Sequence, residues 1–373
     1  MNRSMRHLVL LVVVVLIAAC GDEAGTTTQP GTTDEASATT AGAAGSGMKV
    51  AYLPCGRAND QSWSQSGWEG MQEAEETFGL DEIALSEAVP VADIEAAIRD
   101  YASRDFNMIF AHCGTFADVA EQVAPDFPDV WFELTSLQTS EVANGFAYDP
   151  QQQEGSFLAG ILAGLTTETN TLGAIVGFDF PAMTRQSEGF RLGARFVNPD
   201  VEVIVTYIDS WEDASLAKEA ALAQIESGAD ITFIATDQAG AGVFEAASEQ
   251  GAYTIPLYRD QRENSPETIL TSVNYNIPQS LAGIIELAVN GELEEFATFQ
   301  PGVAEDVGVL TPFYDQESVV PDRAKECADL VRQSIADGVI TIPDTGEIGA
   351  DGAGLAIDPA SIVEGGQHEC LGG

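Results

Sequence analysis

Several short segments combine aromatic, carboxylate, amide and hydroxyl side chains in the way a small polar ligand would require. Asn59-Asp60-Gln61-Ser62-Trp63-Ser64-Gln65 packs an indole, a carboxylate, three amides and two hydroxyls around one turn. An aromatic face stacks on flat or sugar-like molecules, and carboxylates and amides fix their polar edges. The same residues would also suit a helix N-cap, through Asp60 or Ser62, followed by a core tryptophan. Gly114-Thr115-Phe116 and Phe178-Asp179 make two more such segments. Thr236-Asp237-Gln238-Ala239-Gly240-Ala241-Gly242 is small and polar, and would let a ligand approach backbone N–H groups at a helix start. No lysine follows it, so it is not a nucleotide-phosphate loop of the Walker type. In Tyr258-Arg259-Asp260-Gln261, Asp260 could accept two hydroxyls of a vicinal diol, or pair with Arg259 or Arg262. Enzyme chemistry has less to build on. The histidines are His7, His112 and His368, with no Cys-x-x-Cys and no Cys/His cluster, which argues against a zinc site or a histidine-based triad. Paired acids such as Asp60 and Asp260 leave only a remote case for a hydrolase. No catalytic residue, metal ligand or cofactor is expected.

These segments fall at the ends of elements that alternate between strand and helix. Apolar runs at 49–53, 83–85, 107–113, 130–134 and 145–148 read as strands, and helical spacing recurs at 67–78, 91–103 and 117–124. A second series follows, with strands at 171–176, 201–207, 231–235, 253–257 and 269–273 and helices at 154–165, 185–197, 214–227, 242–250 and 278–290. Strands alternating with helices predict α/β architecture with parallel sheets. Two such series predict two Rossmann-like lobes joined by a hinge. In open α/β sheets ligands bind beyond the carboxyl ends of the strands, which is where loops 54–65, 112–117, 177–184, 236–242 and 258–261 would lie. Such a protein would close on its ligand by hinge motion.

The N-terminus places this machinery. Arg3 and Arg6 precede an apolar run from Leu8 to Ala19, and Cys20 follows. A basic stretch, a short apolar stretch and small residues at the end make a secretion signal at 1–19, too short for a bilayer span of about 20 residues. Leu16-Ile17-Ala18-Ala19-Cys20 resembles the lipobox of bacterial lipoproteins, which implies diacylation of Cys20 and tethering on the outer face of the cell membrane. Residues 20–47 are rich in Gly, Thr, Ser, Ala and acids and read as a flexible linker, with a coil span of about 30 Å. The chain carries 59 acidic against 15 basic residues, a net charge of −44. That excludes nucleic-acid binding by phosphate neutralisation and predicts a solvated acidic surface. Setting Cys20 aside, Cys55, Cys113, Cys327 and Cys370 permit disulfides in an oxidising compartment, and spacing alone does not choose the pairing.

Residues 48 to about 345 resemble the basic membrane protein family of lipoproteins, a branch of the type I periplasmic-binding-protein fold. The resemblance is carried by Asp60-Gln61-Ser62-Trp63-Ser64 with Trp68 and Gly70, and by Glu154-Gly155-Ser156-Phe157-Leu158-Ala159-Gly160. Gly189-Phe190 with Gly193, Asn198-Pro199-Asp200, Gly228-Ala229-Asp230, Gly240 with Gly242-Val243, and Asp260-Gln261 follow in the family's order. The resemblance implies a solute-binding protein of an ATP-driven importer, working as a monomer with permease and ATPase subunits and taking a purine nucleoside. A different small metabolite, or a sensory role on the same fold, is the alternative. It implies that Asn59 and Asp60 contact the ligand and that Trp63 replaces a phenylalanine as a stacking face. Gly114, Phe116, Phe178, Asp179, Asp237, Gly240 and Gly242 would line the cleft, and Asp260 would hold ribose. Tyr275 stands where the family has a cleft lysine, and Tyr258-Arg259-Asp260 stands where it has Asp-x-Asp. Lobe one is expected over 48–149 with about 277–305 returning to it, lobe two over 150–276 with about 306–345, and a tail over 346–373. In the 2-1-3-4-5 strand order the first and third strands are neighbours, so Cys55 and Cys113 are expected to pair beside the cleft, and Cys327 with Cys370.

Overall fold

The computed structural model describes residues 47–344, Val363 and residues 368–370. The expected signal at 1–19, Cys20, the linker up to 46 and most of the 346–373 tail lie outside the described residues. The elements run β1 (Lys49–Tyr52), α1 (Trp63–Phe78), β2 (Glu82–Leu85), α2 (Ile94–Ser103), β3 (Met108–Phe110), α3 (Ala117–Val123), β4 (Trp131–Thr135) and β5 (Gly145–Tyr148). Then come α4 (Gln152–Thr166), β6 (Thr171–Val176), α5 (Pro181–Val197), β7 (Glu202–Tyr207), α6 (Ala214–Glu226), β8 (Ile231–Ala235), α7 (Gly240–Gln250) and β9 (Tyr253–Tyr258). The last elements are β10 (Val273–Asn274), α8 (Ile277–Val289), β11 (Thr298–Phe299), β12 (Val309–Leu310) and α9 (Asp322–Ala336).

The strands form two sheets, ordered β11-β5-β4-β3-β1-β2 and β12-β10-β9-β8-β6-β7. Each is a doubly wound 2-1-3-4-5 sheet with one added strand. All pairings are parallel except β10 with β12. The central strands β1, β3 and β8 are almost wholly buried, as apolar strands with helices on both faces must be. The edge strands β2 and β7 are largely half-buried. The α/β class with two lobes is as the alternation predicts. The chain crosses between the sheets after β5, after β10 and after β11, so the two lobes, each built on one sheet, are joined by three strands of connection.

Several boundaries differ from the sequence reading. Helix α1 starts at Trp63 rather than 67, because the Asp60 carboxylate accepts the N–H groups of Ser62, Ser64 and Gln65 at 2.8, 3.0 and 3.0 Å. Its far end closes on Gly79, whose φ of 68° supplies the left-handed cap. Helix α5 starts at Pro181 rather than 185, with proline at the first turn where no N–H is needed. Ile269 makes one bridge to Thr254, and the fifth strand of that sheet is β10, not 269–273.

Helices α4 and α5 touch backbone to backbone. A Cβ on Gly160 would stand 2.1 Å from the Phe190 carbonyl oxygen, and one on Gly193 would stand 2.0 Å from that of Phe157. Gly193→Val is therefore expected to cost about 3 kcal/mol and, by pushing α5 outward, to weaken ligand capture, both readable from urea denaturation and calorimetric titration. A loss below about 0.5 kcal/mol, the ordinary range of surface changes, would show that the two helices part freely.

Cys55 and Cys113 form a disulfide between the ends of neighbouring strands β1 and β3, with Cα atoms 4.9 Å apart. Cys327 on α9 is bonded to Cys370 across 5.7 Å between Cα atoms. Among the described residues, no helix is long and apolar enough to cross a membrane.

Candidate functional site

The carboxyl ends of the two sheets face one another, and the loops there make an aromatic-walled cleft. On the side of lobe one the wall is Trp63, at the first turn of α1. Its indole N–H donates to the His112 carbonyl oxygen at 3.2 Å, and its ring lies flat on the His112 imidazole, 4.4 Å between centroids and 5° between planes. His112 follows β3, and its Nδ1 is held by the Glu133 carboxylate of β4 at 2.9 Å. His112 and Glu133 are both fully buried. Three elements of one lobe thus hold the indole in place, and Tyr258 of the other lobe meets it edge-on at 5.3 Å.

On the side of lobe two the wall is Phe180, Met183 and Trp211. Phe178 and Phe180 bracket Trp211, with ring centroids 4.9 and 6.3 Å away. Trp211 lies over Gly177, where a Cβ would meet the indole at 2.2 Å. Phe180 reaches across to Gly114 of lobe one, where a Cβ would sit 3.2 Å from its ring.

Between these walls lies a cavity of about 30 Å³, lined by Trp63, Thr135, Gln152, Phe180, Trp211 and Asp237 among others. Small-molecule pockets run to about 300–1,000 Å³, so entry of a ligand requires the lobes to part. A polar groove of about 560 Å³ adjoins it, lined by Asn59, Asp60, Asp237, Gln238, Glu245 and Asn264 among others. Asp237 belongs to both, and neither lining contains a lysine or an arginine.

Burial sets the electrostatics. It pushes the Asp237 carboxyl well above the ordinary carboxylate range, and the nearby Asp60 carboxylate adds to the rise. Asp60 is also raised by burial, against the opposing pull of its backbone N–H donors from Gln65 and Ser62. Burial likewise lifts the phenols of Tyr52 and Tyr258. The cavity end of the cleft is a buried, aromatic space with an acid in its wall.

The sequence-derived candidates divide accordingly. Trp63, Gly114, Asn59, Asp60 and Asp237 line the cavity or the groove, and Phe178 supports Trp211 from behind. Asp60 spends both carboxylate oxygens on capping α1, so capping and the groove coexist in one residue. The others are corrected. Phe116 is turned inward to the core of lobe one, 2 % exposed, because residues 114–116 make a tight turn. Asp179 points to solvent and accepts the Thr184 hydroxyl at 3.3 Å. Gly240 covers Ile234, and Gly242 is a packing glycine: a Cβ there would come within 1.8 Å of the Ala214 carbonyl oxygen of α6. Asp260 is exposed and holds the Arg262 N–H at 3.0 Å and the Tyr314 hydroxyl at 2.6 Å, away from both spaces. Tyr258, at φ 74°, turns the chain at the end of β9 so that its own ring, not Asp260, enters the cleft. Tyr275 is fully buried behind the cleft, where its hydroxyl donates to the Gln152 carbonyl at 2.9 Å.

Sequence reasoning missed Thr135, Gln152, Phe180, Met183 and Trp211 as lining residues. Phe180 directly before Pro181, and Trp211 beyond an edge strand, were the available signals. It also missed Arg185, which reaches from α5 to the buried Asp149 at the end of β5. Among the described residues, no group of His, Cys, Asp and Glu is arranged to hold a metal ion.

Residues 48–346 match the family described as ABC transporter substrate-binding protein PnrA-like. A putative ABC transporter glucose-binding protein, TsgA13 of Haloferax volcanii, is 33% identical over 71% of this chain and 67% of its own length. A purine-binding protein of Brucella abortus is 27% identical over 81% of this chain and 84% of its own. A solute-binding protein structure from Aeropyrum pernix superposes with a TM-score of 0.73 at 21% identity, covering 80% of this chain and 95% of that one.

Proposed function

The chain belongs to the PnrA-like family of ABC transporter substrate-binding proteins, and from that premise we propose that its cleft captures a purine nucleoside outside the cell membrane and hands it to an ATP-driven permease. The observation that carries this reading is that Trp63 of lobe one and Phe180 and Trp211 of lobe two line one cavity together with Asp237, and that neither this cavity nor the groove beside it has a basic side chain in its lining. Aromatic side chains from both lobes offer faces on which a flat base can stack, and desolvated stacking supplies affinity. The polar groove beside them suits a ribose. Acidic walls without lysine or arginine repel phosphate, so the unphosphorylated nucleoside fits and the nucleotide does not. The ligand is held and released unchanged, by lobe closure and opening, in a monomer tethered through lipidated Cys20. The likeness to a purine-binding protein supports this ligand class.

The likeness to a putative glucose-binding protein favours a second reading, because one indole face also stacks on a sugar ring. Thermal-shift titration with adenosine, inosine, guanosine, their 5′-monophosphates and glucose separates the two. A ligand at 100 times its dissociation constant adds about 2.7 kcal/mol to stability, a shift of several degrees. Stabilisation by nucleosides alone is the expected result. Stabilisation by glucose alone would replace the nucleoside with a sugar, and stabilisation by the monophosphates would overturn the electrostatic argument.

A further inference from the structure

Glu69 and Arg259 form an ion pair that crosses from one lobe to the other. Glu69 lies on α1 of lobe one, and Arg259 follows β9 of lobe two. Arg259 donates from Nη1 to Glu69 Oε1 at 3.0 Å. Neither side chain lines the aromatic cavity or the polar groove. Each is rigidly joined to one that does. Helix α1 begins at Trp63, and Arg259 directly follows Tyr258; these two rings line the cavity and meet edge-on at 5.3 Å. The turn at Tyr258, φ 74°, sends its phenol into the cavity while the next side chain reaches α1.

The carboxylate is prepared for this contact. Glu69 Oε1 also accepts the Gln65 side-chain amide at 2.9 Å. Gln65 Oε1 accepts the backbone and side-chain N–H groups of Gln61 at 3.0 and 2.9 Å, and the Gln65 backbone N–H is held by Asp60. A run of hydrogen bonds thus leads from the groove wall at Asp60 and Gln61 to the ion pair. The charges beside Arg259 are engaged elsewhere. Asp260 holds the Arg262 N–H and the Tyr314 hydroxyl, and Arg262 pairs with Asp315 at 3.4 Å.

A ligand enters only when the lobes part, and parting them pulls Glu69 away from Arg259. The pair therefore favours the closed arrangement alone, and a ligand that binds this arrangement is held in proportion to its population. We propose that Glu69 and Arg259 are positioning residues for ligand capture: their ion pair latches the lobes over a bound ligand and slows its release without touching it. The latch acts on closure, so it serves a nucleoside or a sugar alike. Side-chain exposures of 26 % for Arg259 and 38 % for Glu69 leave the pair open to water, which keeps its effect modest and the latch reversible.

The test measures release of inosine and of glucose by stopped-flow tryptophan fluorescence. Glu69→Ala and Arg259→Ala are each expected to speed release about threefold to fivefold, the upper range for a partly exposed pair. In the double variant the effect is expected to stay at that level, whereas independent contributions would multiply to about ninefold or more. Arg259→Lys, which keeps the charge at a single point of contact, is expected to hold release within about twofold of the wild type. Melting temperatures without ligand are expected to move no more than for ordinary surface substitutions, so the release rate separates a latch from a merely structural contact. Unchanged release in the single variants, or effects that multiply in the double variant, would overturn the inference. Faster release of glucose with inosine unbound would uphold the latch and dismiss the nucleoside reading. Should neither ligand bind, the nucleoside reading falls and small-angle scattering of the ligand-free proteins decides on the latch. A larger radius of gyration in both alanine variants upholds it, and equal radii overturn it.

Discussion

Arg185→Met is expected to lower the stability of the folded chain by about 3–5 kcal/mol at neutral pH. Arg185 is 3 % exposed and its partner Asp149 is fully buried, so deleting the guanidinium strands a carboxylate in the interior. The pair also joins α5 of lobe two to the end of β5 in lobe one, beside a crossing between the lobes. Burial already raises the Asp149 carboxyl, and the hydrogen bond and charge of Arg185 oppose that rise. Without Arg185 the carboxyl climbs further. A carboxyl raised in the folded state holds a proton that the unfolded chain releases, so stability falls as pH rises. Below about pH 3.9, the ordinary aspartate value, both states are protonated and the penalty vanishes. The deficit therefore grows as pH rises through the folded-state value of Asp149 and is largest at pH 7 to 8. Urea denaturation of both proteins at pH 8 and pH 5 checks this. An equal deficit at the two pH values would mean that Asp149 is not the group left unpaired. Adding Asp149→Leu to the variant is expected to restore much of the loss, since an apolar pair of similar volume replaces a buried ion pair at little cost.

Trp63→Ala is expected to weaken inosine binding by about 1–3 kcal/mol, roughly fivefold to 150-fold, the usual worth of one aromatic platform under a base. It is also expected to cost about 3 kcal/mol of stability, because a large side chain only 7 % exposed is emptied from the end of lobe one. The loss leaves the His112 carbonyl without its indole donor and uncovers the imidazole face. Trp63→Phe separates the two roles. It keeps a ring for stacking and loses the N–H, so most of the affinity should return with a stability cost of about 1 kcal/mol. Calorimetric titration with inosine and thermal melts of the three proteins provide the comparison. Unchanged affinity in Trp63→Ala, with stability reduced, would make the indole a core residue and move the binding wall to Phe180 and Trp211.

The lobes were legible because a parallel sheet covered on both faces demands short apolar strands separated by amphipathic helices. The runs at 49–53, 107–113 and 231–235 carry that demand in their composition, and β1, β3 and β8 form there. The loops at strand ends were legible for the same reason, and Trp63, Gly114 and Asp237 reached the cleft through them. Within those loops the choice of side chain was not legible. Tyr258 and Asp260 stand two apart, and a single positive φ decides which one enters. Gly240 and Gly242 read as room for a ligand, but the crowding at Gly242 comes from α6, an element far from it in the chain. Trp211 follows an edge strand outside the loops singled out, and it joins the wall because Gly177 leaves space beneath it.

By itself the sequence determined the alternation of elements, the two-sheet architecture, the acidic surface and the set of loops from which a site could be made. Those properties are written in periodicity and composition along one segment at a time. Tertiary structure alone decided which side chains meet: Trp63 with Phe180 and Trp211 around one cavity, and Arg185 with Asp149. The reason is physical. A segment's own pattern dictates how much of it is buried, whereas the partner it is buried against is set by how two lobes, far apart in sequence, come to rest on each other.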